Sequence, residues 1–302
     1  MTTPTARPPG PGRGLSDRSF GFLLTLPALV LFGAIVLYPL VGSLSTSLFR
    51  QSLVLPGRSF AGLDNFRAVL ADEFWPVLQH TLVFTVACTL IPFVIGFALA
   101  LALHTRLPGR GVLRGLFLFP WVIPGVVVSF VWMWIFNANY GVLNGLLVRI
   151  GLIDEPISWL GQPGTAMAAV IVAKSWASFP WMMVMLLAGL QTVPQTLHEA
   201  AALDGAGTVR RFWHVTLPHL RGIIGVVLLL ETIWNFQHFD TIYVLTGGGP
   251  AGATTTFAVS VYDTAFKGFD LGRAGALGAL WLALLSILVV LYVWASERGE
   301  KS

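Results

Sequence analysis

Six apolar runs, at residues 22–44, 82–103, 116–136, 166–190, 223–245 and 274–294, constrain this chain more than anything else in it. Each is long enough to cross about 30 Å of hydrocarbon as a helix. The composition agrees, with 55% hydrophobic and only 11% charged residues, where a soluble domain carries about one quarter charged. The sequence therefore predicts an all-α polytopic membrane protein with six transmembrane helices. The first run is long, contains Pro27 and Pro39 and lacks a small-residue cleavage site of the usual kind, so it reads as a retained helix and not a signal peptide. No internal repeat relates the two halves.

The basic residues give the orientation. Of 18 Lys and Arg, Lys174 lies within a run and the others sit in the connections. With the N-terminus inside, eleven fall on the inner side (Arg7, Arg13, Arg18, Arg106, Arg110, Arg114, Arg210, Arg211, Arg221, Arg298, Lys301) and six on the outer side (Arg50, Arg58, Arg67, Arg149, Lys267, Arg273). That bias favours both termini in the cytoplasm. It also accounts for the net charge of +4 without a nucleic-acid partner. The single cysteine, Cys88, cannot form an internal disulfide and falls in an apolar run, which suits a small core residue. Residues 1–19, rich in Pro, Gly, Thr and Arg, read as a disordered cytoplasmic tail, residues 20–296 as the membrane domain and residues 297–302 as a second short tail.

One polar island interrupts the second half, a loop at residues 191–222 between the fourth and fifth runs. Pro194 suits the first turn of a helix, Gln195 to Leu203 are good helix formers, and Asp204-Gly205 supplies a left-handed exit. A second short helix would start at Thr208 and stop before Pro218. Alanines stand where a buried helix would carry leucines, so another backbone can approach closely, and Glu199, Asp204, Arg210 and Arg211 argue against burial in lipid. The charge bias places this loop in the cytoplasm.

Glu199-Ala200-Ala201, Gly205, and then Val215-Thr216-Leu217-Pro218 resemble the cytoplasmic loop of the membrane subunits of binding-protein-dependent ABC importers. Val215 stands where isoleucine is usual, and Gly222 where a proline often follows. In that family the loop is a coupling helix seated in a cleft of the ATP-hydrolysing subunit, which assigns coupling to Glu199, Ala200, Ala201, Asp204 and Gly205. Three outer stretches, Gly62-Leu63-Asp64-Asn65-Phe66, Tyr140-Gly141-Val142-Leu143-Asn144 and Leu245-Thr246-Gly247-Gly248-Gly249-Pro250, resemble the sugar and glycerol-3-phosphate branch of the same family. Gly247-Gly248-Gly249-Pro250 must form a turn, and with no Gly-Lys-Ser/Thr after it, it is not a phosphate loop.

Two charges, Lys174 and Glu231, lie inside predicted spans, where each costs about 2.5 to 3.5 kcal/mol on insertion scales and must face a cavity or the other. Lys174, Ala177, Ser178 and Trp181 share one face of the fourth helix; Glu231, Trp234, Asn235 and His238 share one face of the fifth. Together they offer donors, acceptors and two indoles, a set suited to sugar hydroxyls and to the C–H face of a sugar ring. In the sugar permeases that the chain resembles, the matching positions line the translocation path. An ion pair that only closes the two helices together is the other reading.

The resemblance implies a type I ABC importer permease in a bacterial-type inner or plasma membrane. Its partners would be a second homologous permease subunit, two ATP-binding subunits that carry the ATP and Mg, and an extracytoplasmic sugar-binding protein. No cofactor is implied for this chain itself. The alternative is a self-contained secondary transporter with Lys174, Glu231 and His238 as a proton relay. An intramembrane enzyme is disfavoured, since the chain has no His-Glu-x-x-His, no Gly-x-Ser-x-Gly and a single Cys.

Overall fold

A computed structural model describes residues 17–105 and 108–300 of the chain, with side chains from residue 21 to residue 294. Most of the expected N-terminal tail, with Arg7 and Arg13, lies outside the described residues, as do Arg106 and Lys301. Helix α1 (Asp17–Phe32) passes through a π-helical turn at Gly33–Leu37 into α2 (Tyr38–Thr46). A hairpin of β1 (Phe49–Gln51) and antiparallel β2 (Arg58–Phe60) follows, then α3 (Asp64–Asp72) and the long α4 (Phe74–His104). This hairpin is an addition to the expected all-helical chain.

The third run departs from expectation. A single straight helix over 116–136 is replaced by α5 (Arg110–Val122) and α6 (Gly125–Ile135), bent by 93°. The cause is local: Ile123 and Pro124 are both extended, at ψ 132° and 134°, because proline disfavours a helical residue before it and has no N–H to offer the ladder. The chain continues through α7 (Val142–Arg149), α8 (Pro163–Gln191), α9 (Gln195–Leu203), α10 (Thr208–Arg211), α11 (Leu217–Phe236), α12 (Asp240–Thr246), α13 (Phe257–Tyr262) and α14 (Leu271–Glu300). Among the described residues, five helices are long and apolar enough to cross a membrane, six if the bent pair is one span.

The fifth span is also displaced. It runs from Thr208 to Phe236 and not over 223–245, and the short helix expected to stop before Pro218 joins it without a break. Pro218 is accommodated by a π-helical turn at Phe212–Thr216, in which the Leu217 N–H reaches back to the Phe212 carbonyl. This widening relieves the clash that a proline ring imposes on the preceding turn. The same device precedes Pro39, where the Tyr38 N–H bonds to the Gly33 carbonyl.

Helices α4, α8 and α11 form the centre. Helix α4 comes closest to α8 at Gly96, where a Cβ would lie 2.7 Å from Met182 Cβ and 2.8 Å from the Met183 nitrogen. Gly96→Ala is expected to lower the melting temperature of the purified subunit, since overpacking of this kind costs about 1–3 kcal/mol. An unchanged melting temperature would show that the two helices are free to separate. Cys88 is fully buried in the same core, as expected. By contrast, the Gly21–Thr46 span has no buried residue in its apolar window, so its surface faces lipid or another chain.

The outer connections are held by side-chain staples. Asn65 Nδ2 donates to the carbonyls of Ser47 at 2.8 Å and Phe49 at 2.9 Å. Asn144 binds both backbone groups of Ile157 and accepts from Trp159 Nε1 at 2.8 Å. Both asparagines belong to the stretches singled out from the sequence, and each satisfies loop backbone that would otherwise be orphaned. Arg273, at the start of α14, pairs with Glu73 at 2.8 Å and Asp72 at 3.0 Å, fixing that end of the helix to α3 and α4. Gly247 and Gly248 make the expected turn with φ of 58° and 88°.

Candidate functional site

Helices α8 and α11 present their polar faces to one another. Lys174 Nζ donates to Ser178 Oγ at 2.7 Å, one turn along α8, and lies 3.8 Å from Glu231 Oε1 on α11. The Glu231 side chain is 3% exposed and that of Lys174 is 15% exposed, so the pair is shielded on the glutamate side and open on the lysine side. Beside it, the indoles of Trp181 and Trp234 meet edge to face with centroids 4.9 Å apart. Trp234 stays 45% exposed despite this contact.

These residues line a cavity of about 190 Å³. Seven of the eight side chains expected at the site border it: Lys174, Ala177, Ser178, Trp181, Glu231, Trp234 and His238. Asn235 does not. It is buried behind the pair, where Nδ2 donates to Glu231 Oε1 at 3.3 Å and to Thr89 Oγ1 of α4 at 3.2 Å. Helical spacing alone placed Asn235 on the polar face; its long amide reaches instead toward α4, making it a holder of Glu231 rather than a lining residue.

His238 also differs from expectation. Helix α11 ends at Phe236, and His238 sits in the turn before α12, stacked on Phe84 at 5.8 Å with Nε2 2.9 Å from Thr241 Oγ1. Among the described residues no direct hydrogen bond joins it to Lys174 or Glu231, although all three border the same cavity. The far wall comes from the α5–α6 bend, through Pro120, Trp121 and Ile123. The sequence reading missed that wall and Thr241, although Pro120 and Pro124 flanking Trp121 were the available signal.

A second surface is built by α9. The helix covers Gln195–Leu203, the helix formers read from the sequence, but Pro194, expected in the first turn, is the extended N-cap residue before it with ψ of 130°, and Gly205 takes the left-handed conformation with φ of 78°. The exit is a Schellman arrangement: the Ala206 N–H bonds to the Ala201 carbonyl at 2.9 Å and the Gly205 N–H to the Ala202 carbonyl at 3.0 Å. No residue of α9 is buried, and Leu203 is 90% exposed. Glu199, Ala200 and Asp204 are exposed alongside it, while Ala201 is half-buried. The helix thus presents small side chains and a projecting leucine at the surface.

Comparison with known proteins gives the same picture from a separate direction. The family model described as a binding-protein-dependent transport system inner membrane component matches residues 92–298. The trehalose/maltose transport system permease protein MalF of Thermococcus litoralis is 38% identical over 92% of this chain and 93% of its own length. The trehalose transport system permease protein SugA of Mycobacterium tuberculosis is 36% identical over 96% of this chain and 94% of its own. Among solved structures, a chain of a bacterial ABC transporter involved in the import of the acidic polysaccharide alginate superposes with a TM-score of 0.80 at 22% identity, covering 92% of this chain and 95% of that one. Residues 92–298 contain α5, α6, α9 and the facing residues of α8 and α11, and the chain belongs to the family of binding-protein-dependent transport system inner membrane components.

Proposed function

We propose that this chain forms one half of the membrane path of an ATP-driven importer and that the cavity between α8 and α11 receives a sugar. The observation that carries the reading is the cavity itself: a lysine, a glutamate, a serine and two indoles converge on a space closed by the α5–α6 bend. Hydroxyl groups pair with the polar side chains and a sugar C–H face lies on an indole. Relatives that transport trehalose or maltose support the substrate class.

Docking of α9 in the cleft of an ATP-binding subunit converts closure of that subunit into movement of α9. A second permease completes the path, and an extracytoplasmic binding protein delivers the sugar from the opposite face. The excess of basic residues around α9 supports a cytoplasmic location for it and for both termini. Alternating access then follows from ligand and nucleotide favouring different members of an inward-open and outward-open pair.

The test is sugar uptake by the reconstituted complex with its binding protein. Trp234→Ala is expected to lower uptake about tenfold with basal ATPase activity and assembly retained, in keeping with ~1–3 kcal/mol for lost contacts at a polar site. Val227→Ala, at a fully buried apolar position of the same helix, should change stability and leave uptake near normal. Unchanged uptake in Trp234→Ala across a range of binding-protein concentrations would remove the cavity from the sugar path.

A further inference from the structure

A larger cavity, of about 680 Å³, lies at the opposite end of the bundle from the hairpin, behind α9. It is lined by Arg211 of α10, His104 at the end of α4 and His198 of α9, together with Leu101, Leu190 and Trp213. Among the described residues no Asp or Glu lines it. The Arg211 Nε is buried and has no hydrogen-bond partner. Asp204 and Arg211 both border a separate, smaller cavity, together with Arg210 and His214, and no ion pair joins Asp204 to either arginine among the described residues. Helix ends contribute both signs here, from the last turns of α4 and α8 and the first turn of α9, so the attraction for an anion rests on the side chains.

The position decides the kind of anion. The cavity lies where the candidate spans of α4 and α8 end, and Trp213, 58% exposed, borders it, a residue type enriched at membrane interfaces. A space lined by an arginine whose Nε has no partner and by apolar side chains matches an amphiphile with an anionic head, not a free ion. We propose that it binds a phospholipid of the cytoplasmic leaflet through an anionic headgroup, with Arg211 as the principal contact and the acyl chains along Leu101 and Leu190. Because His198 belongs to α9, lipid in this site sets how firmly the coupling helix rests on the bundle. The leaflet assignment rests on the orientation proposed above.

The whole importer, purified and reconstituted in nanodiscs, provides the test. Wild-type complex is expected to retain phosphatidylglycerol over phosphatidylcholine when bound lipid is counted by native mass spectrometry. Arg211→Gln should retain about fivefold less, the effect of one basic contact at a membrane surface, and His198→Gln should show a smaller loss. Arg221→Gln, which removes a basic residue outside the cavity, should retain as much as wild type. Equal retention of the two lipids by the wild-type complex would overturn the proposal without any variant. Equal retention in Arg211→Gln would do so too, as would displacement of the lipid by glycerol 3-phosphate, which would mark a site for a free phosphate ester. A complex that fails to assemble with its ATP-binding subunits would count against the importer reading, whereas an assembled complex without preferred lipid counts against this site alone.

Discussion

Lys174→Met is expected to give little folded, assembled permease, Glu231→Leu a moderate yield, and the double variant a yield near wild type with no sugar uptake. The order follows from which charge is left behind. Removing the lysine strands a carboxylate that is 3% exposed, with only the neutral Asn235 and Ser178 side chains beside it. Breaking a buried pair in this way costs about 3–5 kcal/mol, while replacing both members with apolar groups is often neutral. Removing the glutamate is milder, because Lys174 keeps Ser178 at 2.7 Å and borders the cavity. Yield and assembly report the helix-closing part of the pair; uptake by the double variant reports its part in the path. Normal uptake by the double variant would reduce Lys174 and Glu231 to an ion pair that closes two helices.

The pair was legible because charges in apolar runs are costly, and helical spacing put each on a polar face. What spacing could not supply was the end of α11. The apolar run continues past Phe236, so the sequence carried the helix through His238 to Leu245, whereas the chain turns at Gln237 and starts α12 at Asp240. Hydropathy measures affinity for lipid and is blind to such a break. The α5–α6 bend escaped for the same reason, although Pro124-Gly125 marked the spot. Within the coupling loop, local chemistry was nearly sufficient: the alanine-rich middle and glycine exit act within one or two turns and fix the end of α9, while Pro194 stands just before the helix and not in its first turn. Pro218 was over-read, since a proline ends a helix only when the preceding turn does not widen to accept it.

The loop also provides the sharpest test of coupling. Gly205→Val is expected to abolish sugar uptake while the protein still inserts and pairs with its partner permease. A Cβ at this position would meet nothing within 4 Å, so a side chain there collides with no atom of this chain. The penalty is conformational: φ is 78°, a region that costs a residue with a Cβ roughly 1–2 kcal/mol and a β-branched one more. Relief of that strain opens the bonds from the Ala206 and Gly205 amides to Ala201 and Ala202 and frays the end of α9, moving Asp204 and the projecting Leu203. Gly205→Asn separates the two possible causes, because asparagine tolerates the left-handed conformation yet has a side chain larger than alanine. Asn should keep most of the uptake, Ala an intermediate fraction and Val almost none, with ATP hydrolysis in the Val complex no longer responding to loaded binding protein. Were Asn as damaging as Val, bulk at the partner's cleft would be the cause; were Val to transport normally, the motion of α9 would not drive the transport cycle.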